Sequence, residues 1–191
     1  VISVIKIGGS LEADPHRRRA LLAEIADGAF GRCIVVPGGG TFAGLVRAAQ
    51  VREGFDDAEA HRRALDAMSD AAGIFRGIEP RLVQTLEPWA EAVSATARVW
   101  NPRPLRAGHR DIPETWDVTS DSLALWLAGR VAARRCVLVK SVDAPPGQDA
   151  AALSASGLVD AAFPAFAGRY GGPIEIWGPS RRVVVAPRDA A

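Results

Sequence analysis

The sequence predicts an α/β protein in which helices cover a mainly parallel central sheet. Two observations carry this. Short apolar runs alternate along the chain with longer stretches whose apolar residues recur at helical spacing. Glycine-rich loops also stand directly behind the first two apolar runs, where a parallel sheet hands a strand over to a helix.

Each element has its own warrant. Residues 1–7 are almost wholly apolar and read as a buried strand. Asp14 can cap a helix whose first turn holds Pro15 and whose apolar face carries Leu21, Leu22 and Ile25. Residues 33–36 form the second strand, broken by Pro37-Gly38-Gly39-Gly40. Thr41 opens a helix bearing Phe42, Leu45, Val46 and Ala49. Asp56, with Glu59 three residues on, starts another that runs through Leu65 and Met68 to about residue 74. Short strands are expected over 82–86 and 98–100, with a helix over 88–95 between them. Residues 101–116 make a long polar loop containing Pro102 and Pro104. Thr119 or Ser120 caps a helix over 121–132, residues 136–140 form a strand, and 141–148 a turn-rich segment. Residues 174–177 and 182–185, around Gly178-Pro179, read as a closing strand pair. No internal repeat interrupts this order, so one domain is the simplest account.

Length and charge narrow the function. A chain of 191 residues builds one full core. A net charge of +1 excludes broad electrostatic attraction to nucleic acid or a membrane, so any charged ligand must meet a local site. No apolar run is long enough to span a bilayer, and the first residues lack the basic leader of a signal peptide. Cys33 and Cys136 each open an apolar run and read as buried free thiols, which fits a reducing cytoplasm. Of 23 basic residues only Lys6 and Lys140 are lysine. Both end or interrupt an apolar run beside glycine or turn residues, where a compact ammonium serves differently from a guanidinium fork.

The motifs that carry chemistry lie at strand ends. In Lys6-Ile7-Gly8-Gly9-Ser10, consecutive glycines serve either a tight turn or the close approach of backbone N–H groups to an anion, with Lys6 adding positive charge. Pro37-Gly38-Gly39-Gly40-Thr41 repeats the arrangement at a helix N-terminus, where unpaired N–H groups favour anions. The Lys6–Ser10 loop has the spacing of neither a Walker A loop nor the dinucleotide fingerprint. Together the two loops suggest phosphates facing each other across one sheet edge. Trp116-Asp117-Val118-Thr119-Ser120-Asp121-Ser122 supplies more acids and hydroxyls than one helix cap needs, so Asp121 is free to hold a lysine. Val137-Leu138-Val139-Lys140-Ser141-Val142-Asp143 ends a buried strand with a cation and a carboxylate.

This ordered set resembles the amino acid kinase superfamily over roughly residues 1–143. A narrower likeness joins Asp56-Asp57-Ala58-Glu59-Ala60-His61, Val99-Trp100-Asn101-Pro102, the Trp116–Asp121 segment and Leu138-Val139-Lys140-Ser141-Val142-Asp143. It points to the branch that contains the [5-(aminomethyl)furan-3-yl]methyl phosphate kinases of methanofuran biosynthesis.

The resemblance implies a three-layer αβα sandwich across residues 1–191. The acceptor half falls roughly over 1–115 and the nucleotide half roughly over 116–191. It implies ATP as phosphoryl donor, Mg²⁺ brought by the nucleotide with no dedicated protein ligands, a small-molecule acceptor, and homo-oligomers of the kind common in the superfamily. Lys6 and Asp121 would be catalytic, and Lys140, Ser141 and Asp143 would face the nucleotide. Gly8, Gly9, Ser10, Gly38, Gly39, Gly40, His61, Arg103, Arg106 and Ser120 would bind phosphate or substrate. His61 has the rival reading of an ordinary surface histidine. The chain departs from the superfamily where many members carry a late phosphate-binding lysine: residues 156–163 hold none. Ala144-Pro145-Pro146 also follows Asp143 where glycine is usual. These departures keep open a non-catalytic phosphate- or nucleotide-binding protein on the same fold, beside a kinase for a carboxylate, a carbamate or another monophosphate.

Overall fold

The computed structural model describes residues 1–89 and 97–186. Seven strands form one sheet, and six α-helices accompany it: β1 (Ile2–Ile7), α1 (Pro15–Ala26), β2 (Arg32–Pro37), α2 (Gly40–Glu53), α3 (Asp57–Ile78), β3 (Val83–Thr85), β4 (Ala97–Trp100), α4 (Ser120–Arg130), β5 (Arg135–Val139), α5 (Ala150–Ala155), α6 (Phe163–Tyr170), β6 (Ile174–Trp177) and β7 (Arg182–Val184). The strand order is β3-β4-β2-β1-β5-β6-β7, parallel except for the β6–β7 pair. The expected α/β class and mainly parallel sheet are therefore present.

β1 lies at the centre because its residues are apolar on both faces. Val4 packs with α4 and α6 through Leu123, Leu127 and Phe166, while Ile5 and Ile7 pack with α1 through Leu21, Leu22 and Ile25. α3 reaches both layers, its Leu65 and Met68 joining the first cluster and Ala72 and Phe75 the second. Helix boundaries follow local chemistry. Asp14 accepts from the Arg17 N–H at 3.0 Å to start α1, and Asp56 from the Glu59 N–H at 2.8 Å to start α3. α2 stops at Gly54, whose φ of 73° favours glycine.

Several expectations need correction. α3 extends to Ile78, beyond residue 74, because Phe75 still packs on the core. α4 ends at Arg130 and not at residue 132, since Ala132 takes a positive φ of 46°. α5 and α6 went unassigned in the sequence, being short and alanine-rich. The loop over 101–116 contains a 3-10 turn at Arg103–Ala107. The helix expected over 88–95 falls mostly on residues outside the described ones; Pro88 and Trp89 form a turn. Cys33 and Cys136 are buried free thiols. Among the described residues no helix is long and apolar enough to cross a membrane.

Candidate active site

The two lysines converge. β1 and β5 are neighbours with Lys6 opposite Leu138, so the alternation of side chains puts Lys6 and Lys140 on the α4 face. Asp121, in the first turn of α4, lies between them. Its Oδ1 is 2.9 Å from Lys6 Nζ, and its Oδ2 accepts from Lys140 Nζ at 2.7 Å. All three are at least nine-tenths buried. Each carboxylate oxygen thus faces one ammonium, Oδ1 that of Lys6 and Oδ2 that of Lys140.

Two ammoniums sharing one carboxylate give the cluster a net positive charge. Burial alone would push the Asp121 carboxyl up, but Lys6 and Lys140 outweigh it and hold the group ionised, below its ordinary value. Lys140 is pushed down to about 8, first by burial and then by Lys6, against the pull of Asp121.

α4 is aimed by a residue the sequence did not disclose. Thr119 occupies the N-cap position but makes no side-chain cap; Asp160 caps the helix from a distant loop. Its Oδ2 accepts from the Thr119 N–H at 2.9 Å, the Thr119 hydroxyl at 2.8 Å and the Ser122 N–H at 3.0 Å, while Oδ1 takes the Ser122 hydroxyl.

The two glycine loops touch each other. A Cβ on Gly9 would fall 2.2 Å from Gly40 Cα, and one on Gly38 would fall 2.6 Å from Gly9 N. Gly8 and Gly38 spend their N–H groups extending the sheet, to Val139 O at 3.2 Å and Ile7 O at 2.9 Å. The expected cradle of five glycine amides is thus smaller: among the described residues no backbone acceptor takes the N–H of Gly9, Ser10, Gly39 or Gly40. The α2 N-terminus holds a charge already. The Glu12 carboxylate accepts from the Thr41 N–H at 3.0 Å and from the Thr41 hydroxyl.

Beside the loops opens a cavity of about 570 Å³, lined by Gly9, Ser10, Gly38, Gly39, Gly40, His61 and Ser120 among the expected residues. Leu65, Met68, Val118 and Leu123 form an apolar wall. His61 is buried, not a surface histidine, and its Nδ1–H donates to the Thr115 carbonyl at 3.3 Å. Burial lowers its pKa, leaving a neutral imidazole.

Other expected residues lie elsewhere. Arg106 pairs with Asp66 at 2.7 Å and Arg103 stands 3.9 Å from the same carboxylate, so neither lines the cavity. Asp143 accepts from the Ser180 and Arg181 N–H groups at 3.0 and 2.9 Å, fastening the β6–β7 turn, and Ser141 is exposed. Two charged lining residues were missed, Glu12 and Arg47. Arg47 had a legible signal, since it sits two helical turns after Gly40 on the same face; Glu12 and Asp160 had none, their partners being distant in sequence.

No family model matches the chain. In sequence it is 25% identical over 142 residues to the [5-(aminomethyl)furan-3-yl]methyl phosphate kinase of Methanocaldococcus jannaschii, which covers 73% of this chain and 66% of that protein, just under two thirds of its length. In structure it superposes on uridylate kinase from Archaeoglobus fulgidus with a TM-score of 0.67 at 16% identity, covering 97% of this chain and 99% of that one. Aspartate kinase from Synechocystis gives 0.69 at 14% identity, covering all of this chain and 41% of that one. Fold, motif order and sequence likeness thus agree: the chain has the amino acid kinase fold, and the proteins it resembles are kinases.

Proposed function

We propose that this chain is an ATP-dependent kinase that moves the γ-phosphoryl group onto a small acceptor held in the cavity. The observation that supports it most is the buried Lys6–Asp121–Lys140 cluster beside two touching glycine loops, at the carboxyl ends of β1 and β5. Such a site offers what phosphoryl transfer needs, which is positioning and charge neutralisation more than covalent help.

Lys6 neutralises the transferring group, with the amides of Gly9, Ser10, Gly39 and Gly40 around it. Asp121 positions both lysines, and Lys140 adds charge on the nucleotide side. Mg²⁺ supplies further neutralisation when it arrives with ATP. Among the described residues no group of three or more His, Cys, Asp or Glu side chains offers it a ligand set, and Asp121 is occupied by the lysines.

The acceptor we propose is a phosphate monoester, most specifically [5-(aminomethyl)furan-3-yl]methyl phosphate, the substrate named for the archaeal relative. An ionised oxygen of the monoester attacks the γ-phosphorus, a new P–O–P link forms, and the bond to ADP breaks. The nucleophile is already ionised, so the neutral His61 need not act as a strong base.

ADP release with ATP and Mg²⁺ tests this, using the furan phosphate, its dephosphorylated alcohol, UMP and aspartate as acceptors in separate reactions. The furan phosphate should be turned over fastest. Preference for UMP or aspartate would overturn the acceptor, and nucleotide binding with no acceptor-dependent ADP release would leave a binding protein.

A further inference from the structure

Building on the reading of the cavity as the acceptor site, we propose that Arg47 grips the acceptor, and that the group it grips is the dianion of a phosphate monoester. Arg47 lines the cavity from α2, seven residues after Gly40 and therefore about 10 Å along the same helix face. Helical side chains lean toward the N-terminus of their helix, so Arg47 leans toward the glycine loops. Between them on that face stand Ala43 and Gly44, too small to obstruct a guanidinium.

The guanidinium is held ready. Its Cζ lies 3.7 Å from the centroid of the Trp116 ring. That indole is fixed to the same helix, its Nε1–H donating to Gln50 Oε1 at 2.6 Å. Gln50 in turn donates to Asp57 Oδ1 at 2.8 Å and to Phe55 O at 3.3 Å. Trp116 and Gln50 are positioning residues, and Arg47 is the contact. Arg62, Arg63 and Arg106 are each matched by a carboxylate, whereas none pairs with Arg47 among the described residues.

The lining decides the ligand. Arg47 is its single cation among the described residues, and His61 is neutral. The apolar lining residues Leu65, Met68, Val118 and Leu123 suit an apolar body. A ligand with one anionic end and an apolar remainder fits, and a planar fork suits paired phosphate oxygens.

Benzyl phosphate, inorganic phosphate, phenylacetate and benzyl alcohol serve as probes by titration calorimetry on the full chain. Benzyl phosphate should bind tightest, and Arg47→Ala should weaken it about 10- to 100-fold without moving the melting temperature. Arg47→Lys should recover part of the affinity, and Trp116→Leu should fall between. In the ADP-release assay Arg47→Ala should raise KM more than it lowers kcat. Affinity within twofold of wild type for Arg47→Ala overturns the inference, as does equal binding of phenylacetate or benzyl alcohol, or no measurable binding of benzyl phosphate. Arg47-dependent binding in a protein without turnover keeps the inference and sinks the kinase. Robust turnover indifferent to Arg47→Ala does the reverse.

Discussion

The lysines and their shared carboxylate are not equivalent under mutation. Lys6→Ala leaves Asp121 paired with Lys140, a neutral buried pair, so the fold should survive while turnover falls ~10²-fold or more. Asp121→Ala leaves two ammoniums together in a dry site. Breaking a buried pair from one side costs about 3–5 kcal/mol, so this variant should also melt at a clearly lower temperature. Thermal melts beside ADP-release rates separate the two outcomes; a normal melt for Asp121→Ala would show that the ammoniums find another partner or neutralise. The glycines carry a parallel lesson. At Gly9 and Gly38 the two loops pack backbone to backbone, so a side chain there would clash whatever the loops bind.

At the level of elements, α4 is the piece that places Asp121, and Asp160 places α4. Asp160→Ala would leave the Thr119 and Ser122 donors without their shared acceptor, for a loss of about 1–3 kcal/mol. It should lower turnover too, although Asp160 lies outside the cavity lining; Asp160→Asn, which keeps one acceptor oxygen, should be milder in both. Unchanged activity in a destabilised Asp160→Ala would confine the residue to folding. This contact also marks where the sequence stopped being legible. β1, β2 and the starts of α1 and α3 were readable because apolar runs and caps act between residues a few places apart. The cap of α4 spans about forty residues, and α5 and α6 are defined by what Leu153, Phe163 and Phe166 pack against. The contacts of Arg103 and Arg106 with Asp66 were hidden for the same reason, since Asp66 is near only once α3 and the loop are folded together.

Across the whole molecule, we propose that the described residues act as one domain, although the acceptor and nucleotide halves divide between them. β1 belongs to the first half and pairs with β2 on one side and with β5, from the second half, on the other. The site is closed by the same junction, Lys6 from one half meeting Asp121 and Lys140 from the other. Urea unfolding followed by tryptophan fluorescence and by far-ultraviolet circular dichroism should give a single coincident transition. Two separated transitions would show halves that fold independently.

The shared carboxylate has one more consequence, for the way ligands arrive. Lys140 is pushed down to about 8, first by burial and then by the neighbouring Lys6 charge, so its proton is held less tightly than on a free lysine. A polyanionic phosphate entering the cluster would make that proton welcome again. Coupling of this kind is reciprocal: the anion tightens the proton, and the proton tightens the anion. On the proposed function, where that phosphate belongs to the nucleotide, nucleotide and proton are co-ligands of one site. Above pH 8 the affinity for nucleotide should decline by up to tenfold per unit, the slope of a single proton, while the fold itself gains, since the unfolded chain then binds a proton that the folded one has released.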